Sequence, residues 1–247
     1  MKKNFKRISV FLNCILTIVL VFFIVKFNVI GIVVNKFSNN INNEGQTFSI
    51  LNDMYYNNKK DIFEALPNDN DEIIFLGDSI TDRGEFTEYF NNVNIKNRGI
   101  SGDTTEGVLN RIDEVVESKP KKIFLLIGIN DIGNGVESET IINNYNKIIK
   151  SIKDSSPDTK IYVQSILPCN SKLMDDNERN NRRTSKNILE INDDILKLCQ
   201  KNNVTYIDLT PSFSYKNELK KEYTEDGVHL NGNGYLLWIK LIKEYIY

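Results

Sequence analysis

From residue 70 onward, short apolar runs alternate with stretches of helical spacing, and few folds accommodate that order. The runs Glu72–Leu76, Val93–Asn97, Lys121–Ile127, Lys160–Leu167 and Val204–Leu209 read as strands. The clearest, Lys121–Ile127, is apolar after its two lysines, so both of its faces must be covered. Between and after the strands, apolar residues recur at helical spacing over Gly107–Glu117, Glu139–Lys153, Thr184–Asn202 and Tyr235–Tyr245. Five buried strands alternating with helices predict an α/β fold, a parallel sheet with helices on both faces. Residues 169–183 are polar and charged and read as a loop, near a site or merely at the surface. Residues 46–66 carry an imperfect helical pattern, a helix at the domain edge.

In open parallel sheets ligands bind at the carboxyl ends of the strands. Polar groups gather there. Ser79 follows the first strand, Gly99 the second and Asn130 the third, while Asp226 and His229 follow the fifth. His229 is the one histidine in the chain. A serine hydroxyl is a weak nucleophile until a base takes its proton, and histidine titrates in the useful range. The bland readings are a helix cap for Ser79, a turn before Gly227 for Asp226 and a plain turn for Gly99. Four such features at one sheet edge favour an acyl-transfer site, with Ser79 as nucleophile, His229 as base and Asp226 as its orienter.

Phe75-Leu76-Gly77-Asp78-Ser79, Asn97-Arg98-Gly99-Ile100-Ser101-Gly102, Gly128-Ile129-Asn130-Asp131 and Asp226-Gly227-Val228-His229 come in the order of the motif blocks of one enzyme group. Over about residues 50–247 the chain resembles the SGNH/GDSL hydrolase superfamily (GDSL-like lipase/acylhydrolase, platelet-activating-factor acetylhydrolase-like branch). The resemblance implies a flavodoxin-like three-layer α/β/α sandwich on a five-stranded parallel sheet. It also implies ester hydrolysis through an acyl-serine, without metal or cofactor. The oxyanion hole would use backbone N–H groups of Ser79 and Gly99 and the side-chain amide of Asn130. Asp78 and Asp131 would be structural. Ser79-Ile80-Thr81 lacks the second glycine of a G-x-S-x-G elbow, so an ordinary α/β-hydrolase is not indicated.

The amino-terminal segment has a different character. Lys2, Lys3, Lys6 and Arg7 precede a mostly apolar stretch, Ile8–Val34, interrupted by Lys26. Roughly 20 residues span a bilayer core, so residues 1–34 read as a cytoplasmic stub and a transmembrane signal anchor. Residues 35–49 are a linker and 50–247 the hydrolase domain. The basic flank places the catalytic domain outside the cytoplasm, single-pass in the cell membrane. A cleaved signal peptide is the competing reading, but no small-residue cleavage site follows. Net charge is -2, so no basic field points to nucleic acid. Cys14, Cys169 and Cys199 lack metal-site spacing. A location outside the cytoplasm suggests short-acyl, acetyl-type esters on carbohydrate, a small molecule or a polysaccharide. Long-chain lysophospholipid or thioester hydrolysis is the alternative within the class, and a non-catalytic binding module the alternative outside it.

Overall fold

A computed structural model of the protein describes residues 53–69 and 71–247. The proposed anchor and the whole of the linker, residues 1–49, lie outside the described residues. Among the described residues no helix is long and apolar enough to cross a membrane. Met54–Tyr247 is one compact unit.

Five strands form a single sheet: β1 Ile73–Gly77, β2 Ile95–Gly99, β3 Lys122–Leu126, β4 Lys160–Gln164 and β5 Thr205–Ile207. Their spatial order is β2-β1-β3-β4-β5, and every pairing is parallel. This is the flavodoxin-like order, with its topological switch point between β1 and β3. The expected five-stranded parallel α/β sheet is present. Alternate residues of β1 feed two cores. Ile74 and Leu76 pack with Ile123, Leu125 and Val163 under helices Ser138–Ser155 and Ser185–Asn202. Ile73 and Phe75 pack on the other face with Phe124 and Trp238. There Phe75 stacks between Phe86 and Phe124, at 3.9 and 5.0 Å between ring centroids. Cys169 and Cys199 are free thiols buried in the first core.

Some boundaries differ from the sequence reading, for local reasons. β2 begins at Ile95, because Asn91 is left-handed and the Asn92 side chain accepts from Asn94 N–H, which holds Val93 in a turn. The expected helix Gly107–Glu117 is two helices, Thr105–Leu109 and Ile112–Glu117. The break falls at Arg111, whose guanidinium turns inward to Asp103. Residues 169–183 are not all loop: Glu178–Arg182 is a short helix capped by the Asn177 side chain. A hairpin, Ser214–Tyr215 with Glu218–Leu219, turns on left-handed Lys216 and Asn217, the conformation that two-residue hairpin loops demand. Residues 53–65 are helical, and Phe63 is buried. Tyr55 Oη donates to the Asp82 carboxylate at 2.7 Å, and Lys59 pairs with it at 3.0 Å. The helix therefore grips the segment just beyond Ser79.

Candidate active site

Ser79 is the first residue of the short helix Ser79–Asp82, directly after β1 and the cap residue Asp78. The Asp78 carboxylate accepts from Ile80 N–H at 3.0 Å, which starts the helix. First-turn N–H groups of a helix have no partner inside it. Among the described residues the Ser79 N–H has no acceptor. Below the turn, Asn97 Nδ2 donates to the carbonyls of Thr81, Asp82 and Gly84, at 2.8, 3.2 and 2.8 Å. One half-buried amide thus holds the far end of the nucleophile segment.

The loop before the last helix, Gly232–Ile246, brings His229 across the sheet edge. His229 Nε2 lies 3.0 Å from Ser79 Oγ, and its Nδ1 lies 2.6 Å from Asp226 Oδ2. The other Asp226 oxygen accepts from the backbone N–H groups of Val228 and His229, at 2.9 and 2.8 Å. Partial burial raises the Asp226 carboxyl, but hydrogen bonds from the His229 ring and these N–H groups outweigh it and hold Asp226 at about 2. A carboxylate in this position fixes the proton on Nδ1, leaving Nε2 free to take the serine proton. The loop is tied down in turn, since Asn170 N–H donates to Gly227 O at 2.8 Å. Beside His229 a cavity of about 250 Å³ is lined by Arg83, Glu225, Asp226, Leu230, Asn231 and Gly232.

Asn130 follows β3 at the switch point and is 4% exposed. Its Nδ2 donates to Asp103 O at 2.8 Å, leaving its second hydrogen for another acceptor. Its Oδ1 accepts from Arg179 at 2.9 Å and from Arg183 at 3.0 Å. The neighbouring Asp131 binds Thr105, with the Thr105 hydroxyl at 2.6 Å and the Thr105 N–H at 3.1 Å. It ties the β3 loop to the β2 loop, as a structural residue would. Burial pushes Asp78 up to about 7, against its bond from Ile80. It pushes Asp131 up to about 6, against its bonds from Thr105.

The expectation for Gly99 needs correction. Its N–H donates to Asn97 Oδ1 at 2.8 Å and so is already committed. Gly99 is needed for space instead: a Cβ there would lie 2.1 Å from Asp82 N and 2.5 Å from Asp82 Cα. An uncommitted N–H group sits three residues on. Asp103 N–H bonds to Ile100 O, closing a turn in which Gly102 has φ +86°, a conformation glycine adopts readily. Among the described residues the Gly102 N–H has no acceptor. Gly102 lies in the same sequence block, but only the positive φ singles it out. Sequence reasoning also missed Arg179 and Arg183, in the segment read as a loop, and the buried pair Arg111–Asp103 at 2.7 Å. The clustered arginines of Glu178-Arg179-Asn180-Asn181-Arg182-Arg183 were the available signal.

The family model for the GDSL-like lipase/acylhydrolase family matches residues 75–237, which takes in Ser79, Asn130, Asp226 and His229. The chain belongs to this family. It is accordingly an ester-bond hydrolase. Rattus norvegicus platelet-activating factor acetylhydrolase IB subunit alpha2 is 28% identical over 182 residues, 71% of this chain and 76% of the relative. A solved structure described as a platelet activating factor from Streptococcus pneumoniae superposes with a TM-score of 0.74 at 30% identity. It covers 82% of this chain and 97% of that one. An acetyl xylan esterase, AlAXEase, shares the fold, with a TM-score of 0.59 at 22% identity over 71% of this chain and all of its own.

Proposed function

We propose that this acylhydrolase is a serine esterase that removes short acyl groups, acetyl above all, from hydroxyls of carbohydrate. The observation that carries the catalytic part is the relay Ser79 Oγ, His229, Asp226, with steps of 3.0 and 2.6 Å. In this reading His229 takes the Ser79 proton as Oγ attacks the ester carbonyl. The oxyanion is met by the N–H groups of Ser79 and Gly102 and the spare Nδ2 hydrogen of Asn130. His229 then protonates the departing alcohol, and water repeats the sequence on the acyl-serine.

Two observations support the substrate class. Relatives from Rattus norvegicus and Homo sapiens are named platelet-activating factor acetylhydrolase, which supports the acetyl group. The cavity beside His229 is lined mainly by polar and charged groups, which suits a sugar hydroxyl better than a lipid tail. We further propose that residues 8–34 anchor the chain in the membrane with the hydrolase domain outside, on the strength of the basic flank and apolar run. The test compares p-nitrophenyl acetate, p-nitrophenyl decanoate and an acetylated xylooligosaccharide, with Ser79→Ala as control. Turnover of acetate and oligosaccharide, lost in the variant, is expected. A preference for decanoate would move the substrate to lipids or thioesters. For the anchor, a chain lacking residues 1–34 should be soluble and active, and one that still partitions with membranes would refute it.

A further inference from the structure

We propose that Arg179 and Arg183 are positioning residues that clamp and polarise the Asn130 amide as an oxyanion donor. This rests on the reading of Asn130 given above. An amide has two unlike ends, and only its nitrogen can donate to an oxyanion. Rotated by half a turn, Asn130 would present Oδ1 and oppose the charge it should meet. Arg179 and Arg183 prevent that rotation by donating to Oδ1 at 2.9 and 3.0 Å, while Asp103 O takes one Nδ2 hydrogen at 2.8 Å. A flipped amide would set its NH2 against two guanidinium groups and its oxygen against a carbonyl.

The charges matter as well as the geometry. Among the described residues neither guanidinium is paired with a carboxylate. Arg183 is 8% exposed, and Arg179 Nε is buried without a partner. Burying a cation with no carboxylate in direct contact is costly, and an oxyanion forming at Asn130 would add negative charge beside the pair transiently. Bonds from cations to Oδ1 are stronger than neutral ones and draw electron density from the amide, making its N–H a better donor. The surroundings call for such help. Asp78, Asp103 and Asp131 are all buried nearby, and only Asp103 has its own arginine, Arg111 at 2.7 Å. The excursion is built to deliver the pair: Arg183 is braced by Ile129 O and Asn180 Oδ1, and Arg182 donates to Gly133 O.

The test is a double-variant cycle on the full chain with p-nitrophenyl acetate, using Arg179→Gln, Arg183→Gln, Asn130→Ala and Arg179→Gln combined with Asn130→Ala. Losing an oxyanion donor outright costs on the order of 10²–10³ in rate, so loosening one should lower kcat about tenfold while KM stays within about twofold. Without the Asn130 amide, Arg179→Gln should cost nothing further. Independent, multiplying losses would overturn the clamp. So would a rise in KM alone, which would make the arginines a site for an anionic substrate. Asn130→Ala with undiminished kcat would instead sink the underlying reading of Asn130, a result that cannot be confused with the others. Should the glutamine variants lose their cooperative melting transition, Arg179→Lys decides. It keeps a cation and a donor, so it should fold and hold kcat above one third of the parent value; a folded lysine variant slower by tenfold or more with unchanged melting and a loss that persists in the Asn130→Ala background would refute the proposal.

Discussion

Replacing Asp226 by Asn changes one atom and should disable the base. In the parent, Oδ1 accepts two backbone N–H groups and Oδ2 faces His229 Nδ1 at 2.6 Å. Asparagine must keep its oxygen on the two N–H groups, because an NH2 there would meet two donors. Its NH2 then faces Nδ1, which must become an acceptor. The ring proton moves to Nε2 and points at Ser79 Oγ, so the ring can no longer take the serine proton. To reach the productive tautomer the variant forgoes a charge-assisted bond, about 1.5–3 kcal/mol, and opposes two donors, about 1–3 kcal/mol. Together these correspond to roughly 10²–10⁴ in rate. The Asp226 side chain is 53% exposed, so water relieves part of the conflict, and a loss of about 10²–10³ in kcat/KM is expected. The assay is p-nitrophenyl acetate hydrolysis at pH 7, with melting curves to show that the fold is kept. A loss below tenfold in a folded variant would refute the tautomer argument.

Two further predictions concern the supports of the site. Gly99→Ala keeps its N–H but drives a Cβ into the Thr81–Asp82 backbone; overpacking costs about 1–3 kcal/mol, so Tm should fall by several degrees, and an unchanged Tm would show that the close approach is relaxed. Asp78 is held up to about 7 by burial, so the folded state keeps a proton that the unfolded chain gives up above about 4, and stability declines as pH rises through that window. Asp78→Asn should therefore raise Tm at pH 8 and leave it nearly unchanged at pH 4; equal shifts at both would mean that Asp78 ionises as freely folded as unfolded.

The sheet was legible because buried parallel strands announce themselves as apolar runs, and Lys121–Ile127 contains β3 with a residue to spare at each end. Ser79, Asn130, Asp226 and His229 were legible because each stands directly after such a run or in a block of fixed order. What escaped depends on particular side-chain contacts, which apolar periodicity does not encode. The break at Arg111 needs a buried carboxylate eight residues upstream. The commitment of the Gly99 N–H needs the rotamer of Asn97. Arg179 and Arg183 look like solvated charges until the segment folds back on Asn130, 49 and 53 residues away.

Because the chain has one imidazole, every histidine signal it gives comes from the proposed catalytic centre. The His229 proton shared with Asp226 across 2.6 Å should stand alone at the low-field edge of a proton spectrum. Substrate analogues, acylation of Ser79 and the arginine variants can each be followed there without isotopic editing or assignment. The same solitude means that a reagent selective for imidazole modifies this enzyme at one place, so titrating that modification counts working sites directly.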